Sequence, residues 1–78
     1  MFKDLVEYIV KSLVDNPDQV TVSEIKGATA IVVELSVASS DMGRIIGKQG
    51  RVINAIRAIV QVAAARQGKR VNLEVVEE

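Results

Sequence analysis

The feature that most restricts the fold of this 78-residue chain is a pair of glycines, Gly47 and Gly50, set three apart between two strongly apolar helical segments. Glycine loses the most conformational freedom in a helix, and two so close together interrupt one. Gly47-Lys48-Gln49-Gly50 is therefore predicted to be a turn that joins two helices. The helix before it is short, with Ser39-Ser40-Asp41 supplying N-cap chemistry and Ile46 ending it. The helix after it runs from Arg51 to about Gln67. Its only polar interruptions before Arg66, Asn54, Arg57 and Gln61, fall three and four apart, one narrow wet stripe that leaves most of the circumference apolar. Gly68 suits the C′ position, and Val71, Leu73 and Val75 then alternate with Asn72 and Glu74 as a strand.

Upstream of the turn, Phe2, Leu5, Val6, Ile9, Val10, Leu13 and Val14 recur at helical spacing, which predicts an amphipathic helix over 2–14. Asp15-Asn16-Pro17-Asp18 stops it. Val20 and Val22 alternate with Thr21 and Ser23 in a short strand that continues to a Lys26-Gly27-Ala28 turn. Ile31, Val33, Leu35 and Val37 give the clearest period-two segment, so the two strands pair as a hairpin. The order α-β-β-α-α-β implies an α+β fold. A single domain spanning 1–78 is expected, its three-stranded sheet covered on one face by helices.

Composition narrows the function. The apolar fraction of 49% with 26% charged residues is globular, and no run of eighteen apolar residues exists, so membrane insertion is not expected. Lys3 and Asp4 followed at once by helical periodicity do not resemble a secretory leader, so a cytoplasmic location is expected. The absence of Cys and His removes thiol nucleophiles, imidazole bases, disulfides and most transition-metal sites; no metal or cofactor is expected. Asp41 reads as a helix cap rather than a general base, and an enzyme is not expected. The formal charge is zero, but residues 1–39 hold three lysines against six carboxylates and residues 40–78 hold seven cations against four carboxylates. That asymmetry favours a polyanion on one surface, or simply a solvated helix face.

The chemistry of the glycine turn points the same way. Glycines flanking Lys48 and Gln49 let a backbone approach closely, and the next helix presents free N–H groups and its positive dipole end beside Arg44, Lys48 and Arg51. Phosphate is the group such a corner suits. A nucleotide-hydrolase P-loop is excluded, because Gly43 and Gly47 enclose three residues rather than four and Gln49, not Ser or Thr, follows Lys48. A Gly43-x-x-x-Gly47 membrane-dimer motif is excluded by Arg44 inside it and by the lack of an apolar 20-mer. A plain chain-reversing corner stays open on the glycines alone.

The string Ile45-Ile46-Gly47-Lys48-Gln49-Gly50-Arg51-Val52-Ile53 closely resembles the I-I-G-x-x-G-x-x-I core of KH domains, and the element order resembles their type II topology. With the Asp41-Met42-Gly43-Arg44 lead-in and the Ala55-Ile56-Arg57 continuation, nearly the whole chain resembles the small bacterial single-KH proteins of the KhpA group. The resemblance implies binding of single-stranded RNA, the loop clamping the backbone of about four nucleotides. Gly47, Lys48, Gln49 and Gly50 would form the loop, Ile46 and Ile53 flank it, and Arg44, Arg51 and Arg57 add charge. The groove for bases would lie between the second long helix and the strand around Val33 to Val37. Aromatic residues make up 3% of the chain, so an aliphatic groove rather than aromatic stacking is implied. Ile46, Val52, Ile53 and Ile56 have the competing reading of core. The resemblance further implies a homodimer or a heterodimer with a larger KH-containing protein of the KhpB type. It also implies a role as RNA chaperone or post-transcriptional regulator linked to cell elongation and envelope growth. Against RNA binding stands a protein-interaction module on the same scaffold, which a pI of 6.2 favours. The apolar girdle from Ile53 to Ala65 is broader than one sheet face needs. Either the first helix or a second chain could cover the excess.

Overall fold

The computed structural model describes residues 2–76. Helix α1 (Phe2–Leu13) leads through a 3-10 turn at Pro17–Gln19 into β1 (Thr21–Lys26) and β2 (Ile31–Ser36). A second 3-10 turn, Ser39–Asp41, enters α2 (Met42–Ile46), and the glycine turn at Lys48–Gly50 enters α3 (Arg51–Arg66), followed by β3 (Val71–Val75). The order matches the sequence expectation. β2 is central, antiparallel to β1 and parallel to β3. A parallel pair needs a crossover that carries the chain back to the start of the sheet, and α2, the glycine turn and α3 together are that crossover. The turn therefore lies at one end of the sheet and the Gly68 connection at the other.

Alternation sorts the strands into two faces. Val22, Ile31, Val33, Leu35, Val71 and Leu73 point to the helices and are buried, whereas Thr21, Ser23, Asn72 and Glu74 are exposed. Against the inner face pack Phe2, Val6 and Val10 of α1 and Ile53, Ile56, Val60 and Ala64 of α3, each at helical spacing. Each fully buried Val, Leu or Ile contributes about 1.5–3 kcal/mol relative to exposure. Glu24 also faces inward, and its Oε1 accepts the Lys3 amide at 3.1 Å, satisfying a free first-turn donor of α1. Gly68, at φ 66°, closes α3: its amide donates to Ala65 O at 3.0 Å and the Lys69 amide donates to Ala64 O at 2.9 Å. Among the described residues no helix is long and apolar enough to cross a membrane, and no cluster of acidic side chains could hold a metal ion.

One expectation changes. Asp41 occupies the N-cap position of α2 but makes no side-chain cap bond there. Its carboxylate, 2% exposed, reaches across to the segment after α1. Oδ1 accepts the Asp15 amide at 3.1 Å; Oδ2 accepts the Asn16 amide at 3.1 Å and Asn16 Nδ2 at 3.0 Å. The Asp15 and Asn16 amides would otherwise be partly buried donors left without partners, a costlier loss than an exposed cap on a five-residue helix.

Candidate nucleic-acid interface

The glycine turn owes its shape to three requirements of the backbone. Gly47 sits at φ 74°, ψ 174°, Gln49 at φ 58°, ψ 25° and Gly50 at φ 76°, ψ 16°. At Gly47 a β-carbon would also stand 2.9 Å from Val52 N and 2.5 Å from Val52 Cγ2, so the position excludes a side chain twice over. At Gly50 a β-carbon would have room, 3.4 Å from Asn54 Nδ2, and only the left-handed backbone favours glycine. Gln49 is the one non-glycine residue with positive φ among the described residues, a conformation that costs on the order of 1 kcal/mol. The two glycines thus force Lys48 and Gln49 outward, where both are exposed.

Electrostatics at the turn are unspent. The side chains of Lys48 and Arg51 are exposed and form no ion pair or hydrogen bond among the described residues. They stand at the N-terminus of the sixteen-residue α3, whose first-turn N–H groups and dipole add positive potential.

The remaining candidates are distributed differently. Arg44 turns away from the loop: its Nη1 donates to Leu13 O and to Asp15 Oδ1, each at 3.3 Å, so it braces the end of α1. Ile53 is 4% exposed and belongs to the core, as Ile56 does, while Ile46 and Val52 are half-buried against it. Arg57 is half-buried, its Nε donating to Leu73 O at 3.1 Å and its Nη1 to Asn54 Oδ1 at 3.2 Å. The loop residues with Arg51 form one group; Arg44 and Arg57 serve as ties to α1 and β3.

The groove expected beside β2 is closed. Val33 and Leu35 are fully buried and β2 is paired on both sides, so the strand around Val33 to Val37 has no open edge or exposed inner face. The strand beside α3 with a free edge is β3. Its pairing with β2 runs through the Arg70 carbonyl and the Val76 amide, so its odd-numbered residues turn their backbone groups outward, and Leu73 O meets Arg57 there. Beyond that tie, the second half of α3 and the start of β3 border a shallow groove of about 360 Å³. Sequence alternation is identical for β2 and β3 and carries no sign of which strand is central.

Asp41 is the residue that sequence reasoning placed by the wrong contact. Burial acts to raise its pKa. The Asn16 side chain, the Asp15 and Asn16 amides and the Arg44 guanidinium outweigh it, and hold the carboxyl below the usual aspartate value. This is a structural latch at the start of α2, with no open position for a substrate.

Comparison with known proteins agrees with this geometry. The chain aligns with "RNA-binding protein KhpA" of Clostridium acetobutylicum at 53% identity over 74 residues, covering 95% of this chain and 99% of that protein. The protein of the same name from Aquifex aeolicus is 48% identical over 75 residues, covering 96% and 95%. Among solved structures, Aquifex aeolicus Era bound to GDP.AlF4- superposes with a TM-score of 0.71 at 20% identity over 95% of this chain. Era in complex with MgGDPNP and nucleotides 1506-1542 of 16S ribosomal RNA superposes with a TM-score of 0.66 at 21% identity. This chain spans 29% and 28% of those two chains, and the likeness is one of fold. The family model described as "KhpA/KhpB, KH domain" matches residues 3–75, and with nearly every element and the glycine turn inside that match, the chain belongs to the KhpA/KhpB family of KH domains.

Proposed function

We propose that this protein binds single-stranded RNA in the cytoplasm, with Gly47, Lys48, Gln49 and Gly50 clamping the backbone and Arg51 adding charge. The observation that carries the reading is the turn itself. Backbone strain is spent on a conformation that presents Lys48 and Gln49 to solvent, with neither Lys48 nor Arg51 neutralised from within. Strain of this kind persists where the surrounding structure enforces it, and here it aims a cation at the N-terminus of a long helix. The relatives' name, RNA-binding protein KhpA, supports the reading, as does a fold neighbour solved with ribosomal RNA. Ile46 and Val52 border the loop, and the α3–β3 groove, where Gln61, Ala65 and Asn72 are exposed, offers a place for bases. A role as RNA chaperone or post-transcriptional regulator in cell elongation and envelope growth follows from the family resemblance.

The test is a paired substitution, Lys48→Asp with Gln49→Asp, which sets two negative charges where phosphates would sit and keeps both glycines. Affinity for single-stranded RNA should be lost while the melting curve stays near wild type. Unchanged affinity in a folded variant would remove the loop from the site. With about three phosphates neutralised, the logarithm of the wild-type binding constant should fall against log salt with a slope of roughly −2.

Self-association is a second reading with its own observation. α1 and the sheet cover the Ile53–Ile56–Val60–Ala64 stripe of α3, but not the outer side, where Ile59 is 50% and Val62 64% exposed beside exposed Ala55 and Ala58. A second KH chain, identical or of the KhpB type, would cover that surface. Ile59→Asp and Val62→Asp should yield folded monomers by light scattering and circular dichroism. A wild-type chain that sediments as a monomer at high concentration would refute the homodimer.

A further inference from the structure

The end of the sheet opposite the glycine turn carries a second concentration of positive charge. The β1–β2 turn and the α3–β3 connection border an open cavity of about 280 Å³, lined among others by Lys26, Thr29, Lys69 and Arg70 and by no carboxylate. All three cations are exposed and pair with no partner among the described residues. Lys26 lies in register with Ile31, and Ile31 with Val71, so its side chain belongs to the helix-facing side of the sheet, where α3 ends. The backbone holds the two segments together, since the Ile31 amide donates to Arg70 O at 2.8 Å.

The ordinary role for cations at a helix C-terminus is to complement its carbonyls, and here that role is already filled. The Ala64 and Ala65 carbonyls accept the Gln67, Gly68 and Lys69 amides. The residual dipole is equivalent to about half a negative charge, against three full positive charges. The cavity also adjoins the groove already described. Lys69 and Arg70 line both this end cavity and the groove between α3 and β3, whose lining reaches Gln61, one helical turn beyond Arg57. A helix of sixteen residues separates the two basic ends by about 24 Å.

We infer that Lys26, Lys69 and Arg70 form a second phosphate position, so that a single strand held at the glycine turn continues along α3 and β3 and is gripped again at the far end of the sheet. The inference rests on the loop reading and extends its footprint beyond about four nucleotides. The test is fluorescence anisotropy with oligouridylates of about four and about ten nucleotides. Wild type should bind the longer strand roughly tenfold tighter. The triple variant Lys26→Gln, Lys69→Gln, Arg70→Gln should lose that gain, keep its affinity for the shorter strand, and show a salt slope on the longer strand shallower by about 2. Wild-type affinity of the triple variant for the longer strand would overturn the second position alone. So would recovery of its binding on adding Asp18→Asn, Glu34→Gln and Glu74→Gln, which restores net charge at other surfaces. Failure of wild type to bind either strand would instead overturn the loop reading and this inference with it. Circular dichroism on each variant separates these outcomes from unfolding.

Discussion

Helix α2 is five residues long and has a corner at each end, and the two corners use polar groups in opposite ways. At its start, the Asp41 carboxylate is buried and collects three N–H donors from Asp15 and Asn16, with Arg44 bracing the same segment. At its end, the side chains of Lys48 and Gln49 are exposed and bond to nothing within the described chain, while the backbone alone carries the shape. A corner whose side chains are consumed internally holds elements together. A corner whose side chains are idle, at a cost in backbone strain, has them available for something else. The contrast separates architecture from candidate site more sharply than charge content does, since both corners contain ionisable residues.

Substitutions can break or sharpen this contrast, and the largest effect is expected at Gly47. Gly47→Ala meets both a positive φ and overlap with Val52, so it should cost on the order of 3 kcal/mol, read as a shift in the denaturant midpoint at constant slope. Asp41→Ala should rank next, because it strands the Asp15 and Asn16 amides; its melting temperature should fall without any change in the loop's chemistry. The carboxyl is depressed in the folded state, so its contribution is fully present above the ordinary aspartate value and lost as pH falls through the lower folded one. Stability of wild type should therefore drop at acid pH, and the Asp41→Asn profile should lack that part of the drop.

Gly50→Ala follows, at about 1 kcal/mol, because only φ opposes it. A cost equal to that at Gly47 would show that the two glycines serve the fold in the same way. The smallest stability change, about 0.5 kcal/mol, is expected for Lys48→Asp with Gln49→Asp, paired with the largest loss of RNA affinity. A large loss of stability there would mean that these side chains hold the corner after all, and the contrast between the two ends of α2 would collapse.

Periodicity revealed much of this molecule because most of it is local. The apolar rows of α1 and α3 and the alternation in β2 are short-range signals, and the elements fall within a residue or two of where they are expected. The glycine turn was legible for the same reason. What stayed hidden depends on partners far away along the chain. Asp41 looks like a cap to its own helix, yet its donors lie 25 and 26 residues upstream. Arg44 sits beside the motif in sequence, but its guanidinium finds Leu13 and Asp15. Which strand borders the groove is decided by the parallel pairing of β2 with β3, and a pattern of alternation has no direction. The apolar excess on α3 was visible as a quantity; its division between core and surface needed the position of α1.

The parallel crossover has a consequence for the order of events in folding. β2 is the strand around which the core is built, but one of its edges is closed by Val71–Val75, forty residues later. Before that segment docks, the α1 and β1–β2 contacts can form locally while β2 shows an unpaired, aliphatic edge to any neighbouring chain. Val33 and Leu35, the least exposed residues of the strand, then depend on a partner that arrives last. A polypeptide interrupted ahead of Val71 would hold this edge open indefinitely and should aggregate rather than persist as a partly folded monomer, which makes the final strand the kinetic gatekeeper of the whole domain.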